Sequence, residues 1–422
     1  MTIQNQPEVQ DQYEAYPYPS RDPRDEKKRL ITGSPSNLAE LNHYLFSGNR
    51  DFSQPFRALV AGGGTGDATI MLAQQLADAS PDGKGHEGQV TYLDLSSASR
   101  KIAEARAKER GLTNITFMNG SLLDLPGFGL EAFDYIDCCG VLHHLNEPKD
   151  GLKALTSVLK EEGGMGLMVY GKYGREGVYE MQSLLRDLGK NCTTLSEQIT
   201  LTRRLLEKIP ASNSFHRNPF VIDHKASDAE LVDLLLHSCD RAYTVPEVIE
   251  LVSSASLNIA SFIEPIRYQL ETYLKDPKLQ QSSVGLSRME KAAVAEKLAS
   301  NMKLHMFYVT RKKNTIADLS TTDRSKMETL IPIFRDMSAQ QLSNNLKKTT
   351  TLKSNLDGVP LNLPLPRLAS AIALRCDGRK NLSNIYAELR ELDQRLEWSI
   401  FAQQFEIFFK TFNNLNHLFL RR

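Results

Sequence analysis

Apolar runs of strand length alternate with helical patterns through the first third of the chain. FRALVAG (56–62) reads as a strand, and DATIMLAQQLADA (67–79) as a helix with Leu72 and Leu76 on one side. SPDGKGHEG (80–88) is a loop by its Pro, Gly and Asp content. QVTYLDLS (89–96) predicts a second strand and SSASRKIAEARAKERGL (96–112) a second helix. ITFMNG (115–120), FDYIDCCG (133–140), a helix carrying Leu152, Leu155 and Leu159, and MGLMVYG (165–171) continue the series. This alternation predicts an α/β fold, a doubly wound parallel sheet with helices on both faces.

From Lys172 to about Val252 the pattern is helical, which suggests a helical insertion at about 175–240. LNIASFIEP (257–265) and LHMFYVTRK (304–312) then read as two late strands that finish the same sheet. The expected organisation is an N-terminal cap or lid over 1–55, a main domain over 56–313 and a small, mainly helical domain over 327–422. KNTIADLSTTDRSK (313–326) reads as the linker, and a winged-helix-like arrangement is one form open to the last region. FAQQFEIFFKTFNNL places Phe401, Phe405, Phe408, Phe412 and Leu415 on one helical stripe, the pattern of a core face.

Charge and cysteine content narrow the function classes. The chain has 51 basic and 51 acidic residues, so its net charge gives no whole-molecule attraction to nucleic acid. No run of 18 apolar residues predicts a membrane span, and MTIQNQPEVQDQ has no apolar core of a secretory signal. The five cysteines, Cys138, Cys139, Cys192, Cys239 and Cys376, show no CxxC spacing. A disulfide framework or zinc site is not expected, no metal ligands are assigned, and a cytoplasmic location fits.

The chemistry begins at ALVAGGGTGDATI (58–70). A phosphate-cradling GxxxxGK[ST] loop is excluded because its Lys is missing. The dinucleotide pattern G-x-G-x-x-G, started at Gly62, meets Asp67 at its sixth position, where a carboxylate would repel a pyrophosphate from the helix N-terminus. What remains is Gly62, Gly64 and Gly66, backbone that can turn tightly beside a bulky ligand. Asp94 ends the second strand, at the sheet edge where ligands bind, and a carboxylate there can accept from both hydroxyls of a ribose. A glycine loop plus a ribose acid without a pyrophosphate site points to an adenosine with a sulfonium tail.

These residues carry a resemblance. From Arg57 to Tyr170 the chain resembles a class I S-adenosylmethionine-dependent methyltransferase of the bacterial type 11/12-like kind, through LVAGGGTGD, TYLDLS, NGSLLDLP and FDYIDCCGVLHHLNEP. The resemblance implies a Rossmann-like sheet of seven strands, the last antiparallel, and S-adenosyl-L-methionine as cofactor. It places the methionine part at Gly62, Gly63, Gly64 and Gly66, the ribose at Asp94 with Leu95, and the adenine at Ser121 and Leu122. Cys139 and Gly140 would line the methionine side. Two positions depart from the family pattern: Val60 stands where an acid is usual, two residues before the first glycine, and Ser121 where many members have Asp.

The acceptor is not named by the sequence. Tyr13, Tyr16 and Tyr18 alternate with Pro17 and Pro19 ahead of Arg21, a stiff segment that either covers the cleft or straps the domain. Tyr16, Tyr18, Arg21, His143, Tyr173 and Arg175 are the substrate candidates. His143 or His144 could act as a base and Arg175 could pair with a carboxylate. No general base is assigned. The tract from Asp223 to Tyr268 resembles the region that follows the core in bacterial methyltransferases of uncertain substrate. The accessory regions suggest an acceptor larger than a metabolite, such as a protein. A cofactor-binding adapter without catalysis and an RNA methyltransferase stay open as alternatives, as does the oligomeric state.

Overall fold

The structure is a computed structural model that describes residues 7–81, 83, 87–319 and 323–422. Parts of the predicted loop 80–88 and linker 313–326, and the first six residues of the N-terminal segment, lie outside the described residues. The chain divides into two compact units, one of 1–36, 52–258 and 300–311, the other of 37–51, 259–299 and 312–422.

The first unit carries β1 (Phe56–Ala61), β2 (Gly88–Asp94), β3 (Ile115–Asn119), β4 (Phe133–Cys139), β5 (Leu159–Gly171) and β6 (Ala242–Tyr243). β7 (Asn258–Phe262) begins at the last residue of this unit's second segment, and β8 (Leu304–Thr310) closes the series. In the first unit the sheet order is β3-β2-β1-β4-β5-β8, with β6 beside β5. β1 pairs in parallel with β2 and with β4, whereas β8 runs antiparallel to β5 from Gly164↔Thr310 to Tyr170↔Leu304. The fold is therefore doubly wound α/β, with the order reversing beside β1, where a crevice opens at the strands' carboxyl ends.

Local sequence explains the elements. β1 and β4 are buried on both faces because helices cover both; Leu59, Ile136 and Phe133 are fully buried. The helix Ser97–Arg110 starts at Ser96, whose side chain accepts from Ser99 N, and ends at Gly111 in the left-handed conformation. β5 starts six residues before the predicted 165: Leu159 pairs with Phe133 and Gly164 with Tyr135, and the residues 160–163, which read as polar turn, fall in the register shift between them. The insertion forms the helices Val178–Leu188, Leu195–Leu206, Ser214–Arg217 and Asp228–Leu235.

The second unit gathers its own core. Phe401, Phe405, Phe408 and Phe412, on the helix Trp398–Asn414, are fully buried among Met327, Leu330, Ile372, Leu382 and Ile385. Two two-stranded sheets accompany the helices: Ile331–Phe334 with Leu418–Arg421, and the hairpin Thr351–Leu356/Val359–Pro364. The helix Leu38–Leu45 belongs here rather than with the N-terminal segment. Tyr44 Oη donates to Asn416 Oδ1 at 3.1 Å, Leu420 N donates to His43 Nδ1 at 3.3 Å, and Arg335 meets the buried Glu40 at 3.0 Å. No helix of the described residues is long and apolar enough to cross a membrane.

Candidate active site

A cavity of about 370 Å³ opens at the carboxyl ends of β1, β2, β4 and β5. Gly62, Gly63, Gly64, Asp94, Leu95, Ser121, Leu122, Cys139 and Gly140 all line it. Gly66 does not: it precedes the helix Asp67–Ala79, and a side chain there would press on Ala103.

The glycines are needed first by the protein. Gly62 has φ +80, and a Cβ on it would come within 2.2 Å of Val141. Gly64 has φ +50, and its Cβ would lie 2.7 Å from the Tyr18 carbonyl. The loop thus turns tightly and lets the N-terminal segment approach its backbone.

Asp94 is held by that same loop. Gly64 N donates to its Oδ2 at 2.7 Å and Ser96 N to its Oδ1 at 2.8 Å. Burial raises its pKa against these two donors. Each oxygen keeps a second lone pair for a diol. Ser121 caps the turn Leu122–Gly127 by accepting from Leu123 N at 3.2 Å, so its hydroxyl hydrogen is free to donate. Cys139 is protonated, since burial pushes its thiol well above the ordinary range.

The charge on Asp67 is not bare, contrary to the premise read from the sequence. Arg21 grips it with two nitrogens, the shorter contact 2.6 Å, and Arg106 Nη1 reaches it at 2.7 Å. Burial raises its pKa, but the two arginines outweigh that and hold it below the ordinary carboxylate value. The helix N-terminus is occupied by an internal carboxylate and its cations, which leaves no opening there for a phosphate.

The N-terminal segment forms the other wall. After the helix Pro7–Ala15, the Tyr18 carbonyl accepts from Thr65 N at 3.3 Å and the Pro19 carbonyl from Thr65 Oγ1 at 2.7 Å. Tyr13 and Tyr18 line the cavity, whereas Tyr16 packs beside Ile199, Leu231 and Val232. Arg21 is committed to Asp67 rather than lining the cavity. Among the other candidates, Tyr173 is half-buried and off the cavity. Arg175 lines it, but its charge is already matched by Asp240 at 3.0 Å, and its guanidinium lies over the Tyr170 ring at 3.7 Å. Its reading as the partner of a substrate carboxylate is therefore not favoured.

Of the two neighbouring histidines, the substrate candidate His143 is not the one that lines the cavity. His143 is fully buried behind the cavity, both ring nitrogens without a hydrogen bond to the described residues, and burial holds the ring far below the ordinary imidazole pKa. His144 lines the cavity instead. Its Nδ1 lies 2.8 Å from the Cys239 carbonyl, which can only accept, so Nδ1 carries the hydrogen and Nε2 the free lone pair.

Beside it stands a group missed in the sequence. Cys239 N donates to His237 Nδ1 at 3.1 Å, which leaves the hydrogen on Nε2, 3.2 Å from Tyr13 Oη. Tyr13 Oη donates to Asp233 Oδ1 at 2.9 Å and Tyr170 Oη to Asp233 Oδ2 at 3.0 Å. His144, Asp233 and His237 offer atoms within 4.8 Å of one another, but both nitrogens of His237 are taken in this hydrogen-bond chain. The signal for Asp233 was a lone acid inside the apolar run LVDLLL, and for Asp137 an acid inside a strand pattern, the second in FDYIDCC after Asp134.

This cavity fits S-adenosylmethionine: a half-buried acid for the diol, an apolar rim of Leu93, Leu95 and Leu122 for the base, and further acids for a cation. Comparison with known proteins agrees. Residues 59–165 match the family model described as a methyltransferase domain. An uncharacterised protein of Synechococcus sp. is 26% identical over 327 residues, 74% of this chain and 73% of that one. Demethylmenaquinone methyltransferase of Listeria welshimeri is 32% identical over 100 residues, 24% of this chain and 39% of that enzyme. The chain thus spans about two fifths of that relative's length. The solved structure of PKMT2 from Rickettsia typhi in complex with AdoHcy shares the fold, with a TM-score of 0.64 and 14% identity over 92% of this chain and 76% of that one. Residues 59–165 thus form a methyltransferase domain, on the class I fold that takes S-adenosylmethionine as its cofactor.

Proposed function

We propose that the protein methylates an amine presented by a molecule larger than a metabolite, a protein side chain being the best match. The observation that carries this reading is the wall made by His144, Asp233, Tyr13, Tyr18 and Tyr170, all lining the same cavity as the glycine loop. Asp223 and Glu230 line it too and, with Asp233, act electrostatically on Tyr18. Carboxylates and phenol rings together suit a cationic acceptor group.

Bound in the cavity, S-adenosylmethionine supplies an electrophilic sulfonium methyl. The protein's part is to strip the acceptor, align it and keep water out. An ammonium has no lone pair for attack until it gives up a proton, and His144 Nε2 is the nitrogen free to take it. The carboxylate of Asp233, fixed by Tyr13 and Tyr170, stabilises the imidazolium formed beside it. Leu145, Leu234 and Met168 give this side an apolar, water-poor lining.

The experiment is tritium transfer from methyl-labelled S-adenosylmethionine into a fractionated bacterial lysate, followed by acid hydrolysis and amino-acid analysis. Label in methylated lysine or an N-terminal amine supports the reading. Label in RNA, or in a base-labile methyl ester, overturns it. Cofactor binding with no label transferred to any fraction would favour the non-catalytic adapter instead.

A further inference from the structure

The cavity contains a carboxylate with no cation to match it. Asp137 lies within β4, 2% exposed, as the register partner of Val60 on β1. Ser36 Oγ donates to its Oδ2 at 2.5 Å and the Cys139 thiol does so at 3.7 Å. None of the described residues forms an ion pair with it. Burial, only partly offset by these donors, pushes its carboxyl up to about 6. A buried acid in this condition is costly to a fold unless a ligand supplies the missing charge.

The contrast with Asp94 assigns the two acids different work. Asp94 receives two backbone N–H groups, one on each oxygen, which fixes both oxygens in place to accept from a neutral diol. Asp137 has the Ser36 hydroxyl and the Cys139 thiol and backbone N–H, all neutral donors that its burial outweighs, so a formal positive charge gains most there. β2 and β4 flank β1, so the two acids lie on opposite sides of the glycine loop. S-adenosylmethionine has the matching asymmetry, a ribose at one end and an α-ammonium at the other. We infer that Asp137 holds the α-ammonium of the cofactor's methionine moiety, from the strand beside the apolar Val60. This rests on S-adenosylmethionine occupying the cavity.

Calorimetry on the full chain tests it, with AdoHcy and its deamino analogue as probes. AdoHcy keeps the ammonium but lacks the sulfonium charge, so the two cations are separated. Asp137→Asn keeps the shape and should weaken AdoHcy by about 10- to 100-fold, the loss of one charge-assisted hydrogen bond. The same substitution should leave the deamino analogue within about 3-fold of wild type. That second ligand also reports whether the variant's site is intact. On the unaltered chain, removing the amine from the ligand should cost a similar factor, a measurement that needs no variant. Equal weakening of both ligands, or of neither, overturns the assignment. Weakening of S-adenosylmethionine but not of AdoHcy also overturns it, because the acid would then face the sulfonium. A wild-type chain that binds neither probe would instead fault the cofactor reading on which the assignment stands.

Discussion

Asp94, Asp137 and His144 each have a distinct signature. Asp94→Ala removes the acceptor for two ribose hydroxyls. AdoHcy affinity should fall at least about 10-fold by calorimetry, and the deamino analogue should weaken as much as AdoHcy. Asp137 carries a stability signature as well. Its carboxyl is raised from 3.8 to about 6 in the folded chain, so between those values the native state holds more protons than the unfolded one. Stability therefore falls as pH rises through that window. Without ligand, Asp137→Asn should be more stable than wild type at pH 7, by roughly 3 kcal/mol at most, and equal to it near pH 3.5, read by urea denaturation. Tyr135, Cys138, Cys139 and Ser36 are the polar neighbours of that group, and none of them is a cation. His144→Ala should lower turnover by about 10²- to 10⁴-fold while AdoHcy binding holds, whereas His143→Ala acts through packing rather than proton transfer. A His144→Ala chain with full turnover across pH would remove the base from the proposed function.

The N-terminal segment is the element whose function depends on more than its own sequence. Glu26 is buried and meets Arg106 at 2.6 Å, with Arg110 also on it; Arg106 in turn reaches Asp67 and the Thr65 carbonyl. Arg106→Ala leaves Glu26 buried without its main partner, and a loss of about 3–5 kcal/mol in urea denaturation is expected. Deleting residues 1–25 keeps Glu26 but removes Tyr13, Tyr18 and Arg21, so turnover should vanish while cooperative unfolding survives. Unfolding at ambient temperature would reduce the segment to a structural strap. This element was only half legible. The Tyr-Pro pattern singled it out, but which tyrosine faces the cavity depends on contacts with Asp233, 220 residues away from Tyr13. The β-α-β alternation, the glycine loop and Asp94 were readable because each rests on residues close in sequence. Asp233, Tyr170 and His144 come from separate elements, and only the fold brings them together. His143 and His144 could not be told apart, since a one-residue difference decides which ring faces the cavity.

For the whole molecule, the two units divide the chain by packing and not by order along it. The second unit draws on segments 37–51 and 259–299 as well as the C-terminal region, so residues 327–422 alone lack part of their core. The aromatic stripe is the centre of that core, and Phe405→Ala should cost about 3–5 kcal/mol in thermal or urea unfolding of the full chain. A loss below about 1 kcal/mol would mean that the stripe faces something other than its own unit. The hairpin 351–364 escaped the sequence reading although its pattern is present: Leu352 and Leu356 on one strand, and Val359, Leu361 and Leu363 on the other, alternate with Thr, Lys, Asn and Pro around Asp357-Gly358.

The Thr65 contacts with the Tyr18 and Pro19 carbonyls have a kinetic corollary. On the reading of this segment as a cover, its backbone must peel away before a fresh nucleoside can enter, and exchange and chemistry would proceed on separate clocks. Rapid mixing should then show a first turnover faster than the steady rate, and Thr65→Ala should shorten the wait between cycles without quickening the first.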